Sequence, residues 1–200
     1  MSNHQFEADL HQELGLMSSY RWAEEPVRVL FVLARYKWVA QMLRGYNRVL
    51  EVGCGDGLGS ALVSSNVGHL TAIDQDAMMI ESAQRCQKGI EFKCTGDIEK
   101  ADAIYSIDVI EHIPYVESKA WLNKLAFHAP VVIIGSPSKE SQRYASPLSK
   151  ENHVNCMTQP ELKKMMQAYF RHVFMFGMND EIVGTGFSKL SHYNFAVGVN

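Results

Sequence analysis

Arg48-Val-Leu-Glu51-Val-Gly53-Cys54-Gly55-Asp56-Gly57-Leu58-Gly59 is the stretch that decides how this chain folds. Its first half is a short apolar run rich in β-branched residues, the composition of a buried strand. Its second half places glycine at every other position, and a helical pattern from Leu58 to Ser65 follows at once. Glycines at a strand-to-helix turn let the chain reverse tightly and let backbone approach a ligand without a Cβ in the way. The spacing is GxGxG. Leu58 stands where the dinucleotide fingerprint GxGxxG needs its third glycine, and no Gly-Lys-Ser/Thr follows as a phosphate loop requires. The run therefore suits a nucleoside ligand with no pyrophosphate to cradle.

Strand and helix patterns alternate on the C-terminal side of this run. Leu70 to Asp74, Ile90 to Cys94, Ala103 to Asp108 and Val131 to Gly135 read as strands, with helices over Asp76 to Gln87 and Ser118 to His128. A long polar segment, Ser136 to Met157, precedes a helix from Thr158 to Phe170, whose start is marked by Thr158, Pro160 and Glu161. Val173 to Met178 and Tyr193 to Val199 close the chain as two strands with no helix between them, the mark of an antiparallel pair. On the N-terminal side, Glu24 to Arg44 reads as one long helix, with Pro26 in its first turn and Gly45 as its stop. The expected fold is α/β: a doubly wound, Rossmann-like sheet, mostly parallel with an antiparallel edge strand, and helices on both faces. One domain over 1–200 is expected, with a helical cap over 1–46 and a sheet core over 47–200. Ligands of such sheets sit beyond the carboxyl ends of the strands.

Composition narrows the function classes. The chain has 200 residues, a net charge of -3, 46% hydrophobic and 20% charged residues, the balance of an ordinary globular protein. The slightly acidic balance argues against a nucleic-acid partner, which is usually met with a basic surface. No apolar stretch approaches the ~20 residues of a membrane span, and Met1 to Glu13 is polar and acidic, unlike a signal peptide. The four cysteines (Cys54, Cys86, Cys94, Cys156) form no CxxC pair. These features point to a cytoplasmic protein with reduced thiols and a small-molecule partner.

Two acids follow the glycine run at telling places. Asp74 ends the second strand about 20 residues after Gly53, where a carboxylate can bond a ribose diol; the other reading is a cap for the next helix, a need that Asp76 already meets. Asp97, in Thr-Gly-Asp97-Ile98 after the third strand, can accept from an adenine amino group while Ile98 packs on the ring, or it is a plain loop acid. In order and spacing these residues resemble the class I S-adenosylmethionine-dependent methyltransferases, over roughly Arg48 to the C-terminus. The resemblance implies seven strands with the last antiparallel. It implies that the loop (Gly53, Cys54, Gly55) contacts the methionine part of S-adenosylmethionine, that Asp74 with Gln75 beside it holds the ribose, and that Asp97 with Ile98 meets adenine. Glu51 would help to position the loop and the ligand's ammonium, and Asp108 would face the methionine end. Arg21, in Tyr20-Arg21-Trp22, would pair with the cofactor carboxylate if the N-terminal segment folds over it; the other reading is Tyr20 and Trp22 in the core with Arg21 on the surface.

After the fourth strand comes Asp108-Val-Ile-Glu111-His112. In many of these enzymes an x-x-x-Glu-His run lies under the transferred methyl, so His112 is a candidate base or orienter; alternatively Glu111 and His112 only start a helix. His153, in Asn152-His153-Val-Asn155, is a second candidate base, or a solvated loop histidine. Together Asp108, Glu111, His112 and His153 also resemble the ligand set of the metal-dependent O-methyltransferases of ubiquinone biosynthesis and small-RNA 3′-end modification, although Asp108 is shorter than the Glu those enzymes place first. A divalent ion would then assist, with the histidines favouring Zn²⁺, Mn²⁺ or Fe²⁺ over Mg²⁺. The implied reaction is methyl transfer to an oxygen, or to a nitrogen, of a small molecule, a sugar or glycan precursor being the first expectation. A nicotinamide-dependent oxidoreductase is opposed by the missing third glycine. A non-catalytic binding protein that keeps the fold is opposed by the intact Gly53, Gly55, Asp74 and Asp97. The glycine-rich segment Asp180 to Leu190 is left as a substrate or dimer loop with no chemistry attached.

Overall fold

In the computed structural model, which describes residues 13–186 and 188–200, the glycine run joins β1 (Arg48–Val52) to α3 (Leu58–Ser64). Strands β2 (His69–Asp74), β3 (Glu91–Cys94), β4 (Ala103–Ile107), β5 (Val131–Pro137), β6 (His172–Asn179), β7 (Ile182–Gly184) and β8 (Tyr193–Val199) complete one sheet. Its order is β3-β2-β1-β4-β5-β8-β6-β7, eight strands among the described residues. β1 to β5 pair in parallel, while β8 runs antiparallel to both β5 and β6. The doubly wound sheet is as expected, with one strand more. That strand, β7, is a three-residue antiparallel edge inside the glycine-rich segment. With only Ile182 and Val183 as apolar residues, it carries too little alternation to be read from sequence.

Alternation along the strands loads both faces. Leu50, Ile104, Val132 and Ile134 point to one side, against Leu122 and Leu125 of α5 (Tyr115–His128) and Leu162 and Met166 of α7 (Gln159–Met166). Val49, Tyr105 and Ile133 point to the other, against Tyr36, Val39 and Leu43 of α2 (Pro26–Met42) and Val63 of α3. A sheet covered on both sides needs strands that are apolar at nearly every position, which is why these runs look continuous in sequence. The remaining helices are α1 (Leu16–Glu24), α4 (Ala77–Cys86) and α6 (Pro147–Asn152).

The expected helix from Glu24 is two helices. Pro26 forces the residue before it out of the helical region, and Glu25 sits at φ -146°, ψ 73°, so that α1 ends and α2 starts afresh with Pro26 at its first position. The polar stretch 1–12, and with it the start of the expected cap, lies outside the described residues, as does Phe187. No helix among the described residues is long and apolar enough to cross a membrane.

One buried carboxylate joins four elements. Glu51 of β1 is fully buried. It accepts hydrogen bonds from Tyr36 Oη of α2 (2.9 Å), Ser60 Oγ of α3 (2.5 Å) and Tyr105 Oη of β4 (2.8 Å). Burial pushes its pKa up, and the three hydroxyls oppose that by stabilising the anion. Gly59 belongs to the same joint: a Cβ there would collide with the Tyr36 ring, so glycine lets α2 lie close on α3. Removing one donor strands part of a buried charge, so Tyr105→Phe is expected to lower the unfolding free energy by about 1.5–3 kcal/mol. Urea denaturation checks this; a change below about 0.5 kcal/mol would show that the network is not structural.

Candidate functional site

A cavity of about 1050 Å³ opens over the carboxyl ends of β1, β2 and β4, where the fold predicts a ligand. One half is built by the glycine loop. Gly53 N–H and Cys54 N–H both donate to Ile73 O of β2, at 2.8 and 3.1 Å, which lashes the loop to the sheet. Gly53 has φ +84°, and a Cβ there would collide with Val109, so no other residue fits between the loop and the end of β4. Cys54 lines the cavity, but burial and the Glu51 and Asp74 charges push its thiol far up, so it offers no nucleophile.

Asp74 is fixed by backbone. Gly55 N–H donates to its Oδ2 (2.9 Å) and Asp76 N–H to its Oδ1 (3.0 Å), while Asp76 itself caps α4. The cap role weighed for Asp74 thus falls to Asp76. Two bonds leave a carboxylate with spare lone pairs, and Asp74 lines the cavity beside Gln75. Thr95, Gly96 and Ile98 continue that wall. Asp97 does not: it is exposed, outside the lining residues, and the step is shaped by its N–H donating to Thr95 Oγ1 (3.0 Å). Asp97, expected on the adenine side, is thus not among the residues that face the cavity.

Glu51 also departs from expectation. It does not line the cavity, and its oxygens are taken up by three protein hydroxyls. It supports the loop from below, and its oxygens face protein hydroxyls, not the cavity. Arg21 does line the cavity, from α1. Tyr20 and Trp22 beside it are 68% and 55% exposed, so they neither roof the cavity nor join the core. What seats α1 is a pair absent from the sequence reading: Ser18 N–H and Oγ–H donate to the buried Asp56 carboxylate at 2.6 and 2.9 Å. Asp56 lies in the glycine run, at the N-terminal end of α1, where the helix dipole favours an anion.

The other half of the cavity forms at the end of β4. Asp108 has φ +58° and donates its N–H to Gly135 O of β5 (3.0 Å). Its Oδ2 accepts from Arg35 Nη1 of α2 at 2.6 Å, and the Arg35 guanidinium lies 4.0 Å over the Tyr193 ring. Asp108 lines the cavity. Arg35 was not singled out from sequence. Its sign was there: it falls between Phe31 and Trp38 on the apolar stripe of α2, a cation where a core residue belongs.

Glu111 and His112 lie in a 3-10 turn over Ile110–His112. Glu111 is fully buried, neither of its oxygens has a hydrogen-bond partner among the described residues, and burial with the nearby Asp108 charge pushes its carboxyl well up. Asn155 ties the later loop to this turn: its N–H donates to Glu111 O (3.0 Å) and its Nδ2 to Ile110 O (3.3 Å). That staple brings His153 beside His112, with ring centroids 5.0 Å apart and planes at 75°. His112 Nδ1 bonds Asn152 O at 3.1 Å and His153 Nδ1 bonds Gln142 Oε1 at 3.2 Å. Oxygens of this kind only accept, so each Nδ1 carries a proton and Nε2 is the ring nitrogen that these bonds leave open. Burial and the neighbouring His112 lower the pKa of His153, which favours its neutral form.

One donor atom from each of Glu111, His112 and His153 lies within 4.8 Å of the others. Two imidazoles oriented through Nδ1 and a buried carboxylate match the donor set of a divalent ion. Asp108, expected as the fourth member, is not in the cluster; its carboxylate is paired with Arg35. His192, for which the sequence offers no partner, has one: its Nδ1 accepts from Asp180 N–H at 3.2 Å at the cavity wall.

Comparison with known proteins agrees with this architecture. The chain is 30% identical over 92 residues to a ubiquinone biosynthesis O-methyltransferase of Coxiella burnetii (strain Dugway 5J108-111), an alignment covering 40% of this chain and 39% of that protein. The chain thus matches about two fifths of the length of the curated relatives it resembles. Among solved structures, the methyltransferase domain of bacterial CtHen1-C superposes with a TM-score of 0.68 at 20% identity, covering 84% of this chain and 97% of that one. The magnesium protoporphyrin IX methyltransferase of Synechocystis PCC 6803, with bound S-adenosylhomocysteine, superposes with a TM-score of 0.70 at 16% identity, covering 94% and 96%. The family model described as a methyltransferase domain matches residues 20–169, which span the glycine loop, Asp74 and the Glu111-His112-His153 cluster, and the chain belongs to that family, the class I S-adenosylmethionine-dependent methyltransferases.

Proposed function

We propose that this chain transfers the sulfonium methyl of S-adenosylmethionine to a hydroxyl of a small molecule, with a divalent ion held by Glu111, His112 and His153. The observation that carries this reading is the donor cluster itself, set at the end of β4 beside the glycine loop. The O-methyltransferase name of the Coxiella relative supports oxygen as the acceptor atom. An ion bound there lowers the pKa of a coordinated hydroxyl and orients it toward the methyl. An acceptor with two adjacent oxygens, as in a sugar diol or a catechol, suits such a site.

The protein's own groups do the rest. Backbone at Gly53, Cys54 and Gly55 lies against the methionine part of the cofactor, and Arg21 faces its carboxylate. Asp74, held by two N–H donors, presents its remaining lone pairs to the ribose diol. Ile98 packs on the adenine. With the ion in place His153 is a ligand and not a base, and the acceptor hydroxyl would lose its proton to solvent as coordination lowers its pKa; in an ion-free site the same Nε2, fixed through Gln142, would take that proton. The main contribution to rate is alignment of acceptor oxygen, methyl and sulfur in a cavity shielded from water.

Three outcomes follow for the purified protein. Asp74→Ala is expected to weaken S-adenosylhomocysteine binding by about 1–3 kcal/mol, while NAD fails to bind either form. Calorimetry checks both, and unchanged affinity in the variant would remove Asp74 from the cofactor site. His153→Ala is expected to slow methyl transfer to a catechol or diol acceptor by ~10²–10⁴-fold with cofactor affinity little altered. Elemental analysis and assays in EDTA test the ion: the rate should collapse and return with added Mn²⁺ or Co²⁺, whereas full turnover in chelator leaves His112 and His153 as plain acid–base groups.

A further inference from the structure

The spacing Asp108-x-x-Glu111 brings two carboxylates to one end of β4, yet only Glu111 joins the donor cluster. The other is paired with Arg35. The arginine side chain is only 15% exposed, it reaches across from α2, and its Nη1 sits 2.6 Å from Asp108 Oδ2. The Tyr193 ring beneath the guanidinium, 4.0 Å from its centroid, blocks a swing away from that position. Asp108 is held in turn by its left-handed backbone and its N–H bond to Gly135 O. Its other oxygen, Oδ1, is buried without a partner among the described residues. The pair therefore stores a second carboxylate next to the cluster while keeping it out.

We propose that Arg35 is a positioning residue that sets the ion preference of this site by withholding Asp108, so that the ligands are two histidines and one carboxylate. This rests on the metal-assisted reading above and deepens it. Two carboxylates with two imidazoles would make a harder, more negative set that accommodates Mg²⁺. One carboxylate with two imidazoles is nitrogen-rich and favours transition ions such as Co²⁺, Zn²⁺, Mn²⁺ or Fe²⁺. Three protein ligands also leave coordination positions open, where an acceptor's oxygens can bind. The nearby guanidinium further lowers affinity for any cation, so Arg35 trades tightness for selectivity.

The test uses the chelator-stripped full chain, titrated with Co²⁺ and followed by visible absorption, and with Mg²⁺ followed by calorimetry. Thermal melts report folding of each variant. Asp108→Asn in the otherwise unaltered protein should leave the Co²⁺ spectrum as it is, because Asp108 is not a ligand. Arg35→Met frees Asp108 to join: the Co²⁺ bands should shift and Mg²⁺ affinity rise about tenfold or more, and adding Asp108→Asn should restore the original bands. The band shift separates a new ligand from mere loss of a positive charge, which would change affinity alone. If Arg35→Met does not fold, Arg35→Gln, which keeps a polar head beside Asp108 without the charge, makes the same comparison. Identical spectra in the Arg35→Met and unaltered proteins, or a spectrum that Asp108→Asn alters, would overturn the role given to Arg35 and leave the metal reading standing. No Co²⁺ binding by the unaltered chain would overturn both.

Discussion

The architecture depends on a buried carboxylate that no water reaches. Glu51 stands on β1, an interior strand of the sheet, and must be satisfied from within, because an isolated buried charge is far costlier than any single packing contact. Its three hydroxyl partners come from α2, α3 and β4, so the glycine loop, the N-terminal helices and the neighbouring strand are set by one group. Each is needed at the cavity. The loop lines one half of the cavity, α2 delivers Arg35, and β4 leads into Asp108, one turn before Glu111 and His112. Backbone bonds at Ile73 then fix the loop against β2 and place Asp74 beneath it.

A second layer of organisation is electrostatic. Five ionisable groups meet beyond β4, and the protein separates them into two sets. Arg35 neutralises Asp108, while Glu111 stays buried, with its carboxyl pushed up and its oxygens unpartnered. Two adjacent carboxylates cannot both ionise without a counter-charge. One receives it from the chain, and the other is left to be satisfied by something bound in the cavity. The histidines are prepared in the same way, each with Nδ1 anchored and Nε2 left open.

Much of this was legible in the sequence, for reasons that differ by element. The strands were readable because both faces are buried and their apolar runs are nearly unbroken. The loop was readable because backbone contact with a ligand demands glycine, and Asp74 because topology sets its distance from the loop. Pro26 marked a helix start correctly, but the separate helix before it was missed, since Leu16–Glu24 mixes polar and apolar residues with two exposed aromatics. Glu51 and Asp56 share a weakness: a carboxylate near a ligand loop looks the same in sequence whether it faces ligand or protein. Both turn out to hold protein, Glu51 through hydroxyls and Asp56 through Ser18. Asp108 shows the limit most clearly. Its spacing marked it as a ligand, and only the three-dimensional approach of Arg35, 73 residues away, reveals that it is already taken.

The central claim is that Glu111, His112 and His153 form one ion-binding centre beside the cofactor, with Asp108 excluded. Anomalous diffraction from crystals grown with S-adenosylhomocysteine and Co²⁺ tests it most directly. The account predicts one strong cobalt peak at coordination distance, about 2.0–2.2 Å, from an oxygen of Glu111 and from Nε2 of both histidines, with Arg35 still on Asp108 and the sulfur of the cofactor facing the peak. A peak ligated by Asp108, or no cobalt at the cluster while S-adenosylhomocysteine occupies the glycine loop, would contradict it.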